Sequence, residues 1–560
     1  MVKSFFKNGQ NLLFQEQKTI LSAAAVISFM VLTSSFLGLV KMRLYAGILG
    51  VGPQFDVFVA SFRIPDLIFQ LIIVGSLNAA FIPLFSGLIA KESAQKAWGF
   101  ASNILNLTLI FFGVVSAGVF IFAKPLSFLV AAGFDPKQTQ TLIELTRIFL
   151  LSPILLGVSS LISGSLQSFK RFFFPFLSPI VYNLGAIFGA LFLYQPLGLS
   201  GLAWGVVLGS FLHLVIQLPL LFHLGFRYQL KISWRQDLVK KMFGLSAFRT
   251  IGLGAEQIKT LILINIASFL GSGAISVLRF GESIATVPIS VIGAAIAQAA
   301  LPTLSQDALT DLKKFKETFL STFFEILYLS LPLSIILIIL KIPIVRLILG
   351  VGNFSWNATI STAWILALFS LGIFAQCLIH LVIRAFYALQ DTKNPLIISL
   401  ISIVLSLILA VFLSSFLEKL AVSYGWPSGL FYGVRGLVLG ITLGTLVELG
   451  LLFFKLHQKL HFTKAEVLSP GLPIVFASLI MALTIYFPVK ILDQVFLDTT
   501  RTVNLIILVW LVLTLGGSTY LLLTWLLGCK EIRIFFKVLV RLKNFRENLL
   551  SFKKLPLTIE

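Results

Sequence analysis

Apolar residues fall in long, nearly unbroken blocks at 21–49, 56–90, 98–123, 138–168, 172–196, 201–226, 242–271, 273–304, 316–349, 358–388, 395–416, 433–455, 469–489 and 503–527. A helix needs about 20 apolar residues to cross roughly 30 Å of hydrocarbon, and a run of that length predicts a spanning helix, not a strand. The pattern therefore predicts an all-α polytopic membrane protein of about fourteen spans. Several blocks exceed 25 residues and contain Gly or Pro, which predicts bends or interfacial extensions. Composition agrees: of 560 residues, 58% are hydrophobic and only 12% charged, and mean hydropathy is +1.00. Ordinary soluble classes are excluded.

Charge orients the spans. The 43 Lys and Arg against 22 Asp and Glu give +21, which in this setting reads as positive-inside loops beside an anionic leaflet, with no nucleic acid as partner. Alternate connections hold the basic residues, among them Lys91/Lys96, Lys170/Arg171, Arg227/Lys231/Arg235/Lys240/Lys241 and Lys313/Lys314/Lys316. The opposite set is poorer: GVGPQ, YQPLGLSG and GSG carry no charge, and the others two basic residues each at most. Both termini are predicted cytoplasmic. The segment MVKSFFKNGQNLLFQEQK is mixed polar and the block after it is too long for a signal h-region, so the first span is expected to target the chain itself.

An internal repeat appears once the loops are placed. GLSGLAWGVVLG at 198–209 and GVRGLVLGITLG at 433–444 share the frame GxxGLxxGxxLG, offset by 433 − 198 = 235. A weaker echo pairs LGVG at 49–52 with LGSG at 270–273, and Pro83-x-x-Ser86 with Pro302-x-x-Ser305. The expected organisation is a first six-span lobe over 1–228, a second over 229–462, two further spans over 463–528 suited to a lipid-tail groove, and a basic amphipathic tail over 529–560. Parallel halves of even span number imply a pseudo-two-fold along the membrane normal, the arrangement of alternating-access transporters.

The candidate chemistry is in the charges that lie inside spans. Each costs roughly 2.5–3.5 kcal/mol at mid-bilayer, so they should face protein or a wet cavity. The hairpin 34–86 carries Lys41, Arg43, Asp56, Arg63 and Asp66; the matching spans of the second half carry Arg249, Glu256, Lys259, Arg279 and Glu282. Glu256/Lys259, Arg279/Glu282 and Glu144/Arg147 are spaced i,i+3, as self-neutralising pairs would be. Lys41, Arg43, Arg63, Arg249 and Arg279 are the expected substrate-binding cations, because guanidinium suits the forked binding of phosphate oxygens. Asp56, Glu282, Lys259 and Glu256 are expected to form ion pairs or gates. No GxxxxGK[ST] occurs, so neither a nucleotide nor any other cofactor is expected, and transport would draw on the membrane potential or an ion gradient. Scattered His and the distant Cys377 and Cys529 suggest neither a metal site nor a disulfide framework; no enzymatic chemistry is indicated.

At these residues the sequence resembles the MurJ (MviN) lipid II flippases of the MOP superfamily, which also holds the MATE antiporters. RAFYALQDTKNP at 384–395 is similar to the family's RAFYALQDTxTP, placing Arg384, Tyr387, Gln390, Asp391 and Pro395 in a structural motif. Asp56 with VASFRIP at 59–65 is similar to DAFxxAFRIP, and FRTIGLGAEQI at 248–258 to PRxxGxxxxQI. The resemblance implies a flippase of lipid-linked peptidoglycan precursor, an anionic substrate of the undecaprenyl-pyrophosphate type, with membrane lipids and cell-wall synthesis proteins as partners. It places Lys41, Asp56, Arg63, Arg249 and Glu282 at cavity positions. The chain departs from the family where arginines are replaced by Ser35, Phe69, Gln70 and Ser283, and an acid by Val74. Arg43, Arg279 and Lys259 then hold the substrate, or the substrate is a different one. An exporter of another lipid-linked glycan or a cation-coupled exporter, and a non-transporting scaffold for wall assembly, stay open as alternatives.

Overall fold

The computed structural model describes residues 20–71, 78–235, 237–427, 429–492 and 501–533. Among these residues the chain is helical without a strand. The first half runs α1 (Ile20–Leu49), α2 (Pro53–Ser61), α3 (Arg63–Phe69), α4 (Asn78–Lys91), α5 (Ala94–Ile121), α6 (Ala123–Ala131), α7 (Pro136–Phe149) and α8 (Leu151–Ser168). It continues with α9 (Phe173–Phe188), a π-helical turn Gly189–Leu193, α10 (Tyr194–Leu197), α11 (Leu199–Val215) and α12 (Leu218–His223). The second half runs α13 (Asp237–Ser268), α14 (Ala274–Pro288), a π-helical turn Ile289–Ala294, α15 (Ala295–Thr310), α16 (Leu312–Ile339), α17 (Lys341–Leu349), α18 (Trp356–Ala388), α19 (Lys393–Ser423) and α20 (Tyr432–Leu460). Last come α21 (Lys464–Ile491) and α22 (Thr502–Leu526). The tail expected over 529–560 lies, beyond Arg533, outside the described residues.

Twelve helices among the described residues are long and apolar enough to cross a membrane. Of the other two expected spans, block 56–90 holds α2, α3 and α4, with 72–77 outside the described residues, and α13 carries Asp237, Lys240, Lys241, Arg249, Glu256 and Lys259. Helix starts are encoded locally: Ser93 caps α5, Asp135 with Gln138 forms a capping box before Pro136, and Thr463 with Glu466 forms another at α21.

The chain forms two compact units. The first comprises Met1–Ile284, Ile348–Ile365 and Ser399–Ile441, so it joins the first half to one end of several second-half helices. Its repeated glycines serve as contact faces: a Cβ at Gly201 would strike the Leu193 carbonyl, and one at Gly436 the Leu413 carbonyl. Gly205 likewise meets Gly189, and Gly440 meets Ala410. The frame GxxGLxxGxxLG therefore lets α11 pack on the segment before it and α20 on α19, backbone to backbone.

At one end of this unit the two halves touch reciprocally. Gly133 abuts the Ser268 carbonyl, and Gly352 abuts the Gly47 carbonyl. The two contacts exchange places under the repeat offset (352 − 133 = 219; 268 − 47 = 221). Asn265 Nδ2 donates to the Phe128 and Leu129 carbonyls at 2.8 and 3.1 Å, and Arg43 Nη1 to the Ile348 carbonyl at 3.0 Å, a second pair of the same kind. Phe55 stacks on Phe280 at 4.3 Å and Phe280 packs edge-on to Phe354 at 5.4 Å, so the same end has an aromatic core.

The second unit comprises Ala285–Leu347, Leu366–Ile398 and Thr442–Glu560. Here α21 and α22 are fixed to α16: Leu340, Ile485, Leu508 and Val512 are buried together. Tyr520 Oη donates to the Tyr328 carbonyl at 2.9 Å, and the Tyr328 and Thr524 hydroxyls share a hydrogen bond at 3.0 Å.

Candidate functional site

The charged residues of the first unit separate into a clasp and a cluster. The clasp is Asp56, 1% exposed, in the first turn of α2. Its carboxylate accepts from Gly273 N at 2.6 Å, Ser276 N at 2.7 Å and Ser276 Oγ at 2.5 Å. These donors are at the start of α14, whose orphan amides and positive dipole end suit an anion. The Gly52 N–H donates in turn to Ser276 Oγ at 3.4 Å, and that hydroxyl is also 3.2 Å from the Gly52 carbonyl, so each helix start is served by the other. A Cβ at Gly273, where φ is +94°, would meet Val51, which brings the repeated LGVG and LGSG turns together. Asp56 therefore pairs with no cation among the described residues, contrary to the ion-pair expectation; backbone amides neutralise it instead. Arg43 differs too: it caps the C-terminal turn of α17 through the Ile348 carbonyl, a structural bond at the same end of the unit.

The cluster draws on α1, α3, α9, α13 and α14. Lys41 Nζ donates to Asn183 Oδ1 at 2.9 Å and lies 5.5 Å from the centre of the Tyr182 ring. Asn183 is itself anchored to Ser34, through its carbonyl at 3.1 Å and its hydroxyl at 3.2 Å. Arg279 Nη1 bonds Glu282 at 2.8 Å, and Lys259 Nζ bonds Glu256 at 2.6 Å, so both expected i,i+3 pairs form. Glu144 and Arg147 do not pair: Glu144 accepts from Gln140 at 2.8 Å, while Arg147 turns to the Phe120 carbonyl at 3.4 Å and to the Phe120 ring. Arg63 is close enough to feel the charges of Arg279, Glu282 and Asp66, and Glu282 that of Lys259 as well. Arg63 Nε is buried without a hydrogen-bond partner among the described residues. The Arg279 and Glu282 side chains remain 35% exposed, so protein does not seal the cluster. Arg249 belongs to α13, but its side chain lies outside the described residues.

Four cations, Lys41, Arg63, Lys259 and Arg279, thus face three carboxylates, Asp66, Glu256 and Glu282. The carboxylates hold the cations in the apolar setting, while an unfilled guanidinium donor leaves a place for an anionic oxygen. The sequence reading left Asp66, Tyr182 and Asn183 out of the site. An Asn inside the apolar run SPIVYNLG was the available signal, since an unpaired amide there is costly.

A family model described as lipid II flippase MurJ matches residues 45–507. The chain belongs to the lipid II flippase MurJ family. It is 26% identical over 520 residues to a probable lipid II flippase MurJ of Buchnera aphidicola subsp. Acyrthosiphon pisum (strain APS), spanning 91% of this chain and 98% of that one. It is 31% identical over 382 residues to a probable lipid II flippase MurJ of Rhizobium tropici, spanning 65% and 70%. Among solved structures it is similar to a lipid II flippase MurJ in an inward closed conformation, with TM-score 0.74, 22% identity and coverage of 92% and 100%. An inward-facing multidrug resistance MATE transporter of the MOP superfamily gives TM-score 0.59 at 15% identity, covering 78% and 98%. The chain thus shares the fold of these two structures.

Against that MurJ pattern, one departure has a visible consequence: Gln70, at a family arginine position, hydrogen-bonds Asp66 and supports the cluster without adding charge. The MurJ-like RAFYALQDTKNP segment is in the second unit. Arg384 donates to Gln298 at 2.8 Å; Gln390 adopts φ +58° to end α18; Pro395 is buried, and Tyr387 is 48% exposed. Asp391 accepts from the Asn394 backbone and side chain at 3.1 and 2.5 Å and from Lys459 Nζ. Partial burial raises its carboxyl, but the bonds from Lys459 and Asn394 outweigh this and hold it down at about 2. Lys170, with φ +58°, makes the same stop after α8 (390 − 170 = 220), so this turn too is repeated.

Proposed function

We propose that the protein moves lipid II, an undecaprenyl-pyrophosphate-linked peptidoglycan precursor, from the inner to the outer leaflet of a bacterial cytoplasmic membrane by alternating access. The observation that supports this reading is the partly exposed cluster of Lys41, Arg63, Lys259 and Arg279, whose Arg63 Nε has no partner among the described residues. Phosphate oxygens take up that donor and compete with Glu282 and Asp66 for the guanidinium groups. The clasped end, with Asp56, Gly133, Gly273 and Gly352, is one gate, and with both termini cytoplasmic it faces outward. Lobes 1–228 and 229–462 rock about it, spans 463–528 guide the prenyl tail, and the tail 529–560 rests on the inner leaflet. No cofactor or catalytic step is involved; the membrane potential or an ion gradient supplies the energy, and cell-wall synthesis proteins receive the product. A second reading, transport of another lipid-linked glycan, is favoured by the missing arginines at Ser35, Phe69, Gln70 and Ser283.

Complementation of a lipid II flippase depletion strain separates these. Wild type should restore growth, and Arg63→Ala and Arg249→Ala should abolish it at equal membrane levels. Failure of the inserted wild type favours the other glycan; growth with both variants removes the site assignment.

A further inference from the structure

The connection between α12 and α13 has a built geometry that a topology signal does not require. Its residues 226–233 lie along α5, held by six hydrogen bonds to three polar side chains of that helix. Asn103 both donates to the Ser233 carbonyl at 3.0 Å and accepts from its N–H at 2.8 Å, a two-point grip like that of a neighbouring strand. Asn106 donates to the Gln229 and Lys231 carbonyls at 3.0 and 2.9 Å and accepts from Tyr228 Oη at 2.6 Å; Gln229 N donates to Ser102 Oγ at 3.3 Å. Phe226 packs edge-on to Trp98, 5.3 Å between ring centres.

Phe226, Tyr228 and Gln229 reach α5 at Trp98, Asn106 and Gly99, but much of the strap's apolar surface is turned outward. Leu230 is 82% exposed, and Tyr228, Ile232 and Trp234 are 53%, 53% and 51% exposed. Interleaved with them are the exposed Arg227, Lys231 and Arg235, with no acidic residue between 224 and 236. The 28 residues of α5 rise about 42 Å, some 12 Å more than a hydrocarbon core of about 30 Å. Its charged and amide residues, Gln95, Lys96, Asn103 and Asn106, lie in its first half, with only the hydroxyls of Thr108 and Ser116 beyond them, so the excess length falls at that end, which would set Ser102 near the hydrocarbon boundary. The strap thus satisfies amides that would be costly at that depth and presents apolar and aromatic side chains to the acyl region and cations to the headgroups.

We propose that the strap Arg227–Arg235 is a binding site for anionic phospholipid headgroups at this boundary. A topology signal needs only charge on the correct side; it explains neither the six-bond grip nor an outward Leu230. The all-basic sign of the rim selects an anionic over a zwitterionic lipid. The inference goes beyond transport, and its test does not depend on the transported substrate.

Native mass spectrometry of the full-length protein released from mixed phosphatidylglycerol and phosphatidylcholine vesicles counts the lipids retained. Wild type should hold phosphatidylglycerol preferentially. The triple variant Arg227→Gln, Lys231→Gln, Arg235→Gln should lose that preference, with affinity falling about fivefold per removed charge. Asn103→Ala with Asn106→Ala should lose it too, although all three cations remain, because the strap is released. The triple variant alters only exposed side chains, so it decides the matter even where the buried asparagine pair impairs folding. An unchanged preference in the triple variant, or in a monodisperse asparagine variant, overturns the proposal. So does a wild type that retains phosphatidylcholine as readily as phosphatidylglycerol.

Discussion

Two aspartates on consecutive short helices, Asp56 on α2 and Asp66 on α3, have opposite roles. Asp56 is 1% exposed and fully served by three donors from the start of α14. Asp66 is half-buried and faces Arg63, Arg279 and the Gln70 amide. A carboxylate satisfied by fixed backbone amides is a structural tie, since those amides cannot move without melting a helix end. One satisfied by side-chain cations, here Arg63 of its own helix and Arg279 of α14, can be traded for another anion. The difference shows that intramembrane charge by itself does not mark a substrate site; the mobility of its partner does.

Breaking the tie should have the largest effect. Asp56→Ala leaves buried Gly273 and Ser276 donors without an acceptor and should lower stability by about 3 kcal/mol. Thermal unfolding in detergent should register it, and a thiol placed at Val51 should label faster as the end loosens. Asp66→Asn keeps a side-chain acceptor and leaves Glu282 on Arg279, so it should cost less stability than Asp56→Ala yet impair transport; equal loss of stability in the two variants would erase the contrast. The glycine faces give an intermediate effect and test the repeat inside the tied unit. Gly205→Ala and Gly440→Ala each drive a Cβ into opposing backbone, for about 1–3 kcal/mol apiece. Markedly unequal losses would argue against equivalent packing.

The smallest effect sharpens the contrast from outside the spans. Asp391 holds its proton more weakly folded than unfolded, with a folded value of about 2. As pH falls below about 4 the unfolded chain takes up the proton first. The contribution of the Lys459 and Asn394 bonds, complete above that range, is lost as pH falls through about 2. Lys459→Met should move this acid transition upward by less than one unit, read by acid titration of unfolding.

Local interactions were legible in the sequence. The helices follow from apolar block length, because a bilayer leaves backbone groups no partner except their own chain. The pairs Glu256/Lys259 and Arg279/Glu282 follow from helix spacing, and the glycine frames follow from repetition. The count was less secure where charge or a break interrupts an apolar block, as in α2 to α4 and in α13. Glu144 and Arg147 show where spacing stops deciding: the same i,i+3 geometry exists, but the Phe120 carbonyl and ring offer the guanidinium another partner.

The sequence by itself determined the membrane class, the helical spans, the two-fold repeat and the family, since each depends on residues near one another along the chain. Only the tertiary structure decided that Asp56 meets a helix start instead of a cation, that Asn183 and Tyr182 hold Lys41, and that α5 grips the chain joining the two halves. Those partners come from residues more than a hundred positions apart, and hydropathy carries no record of which distant polar group will satisfy which.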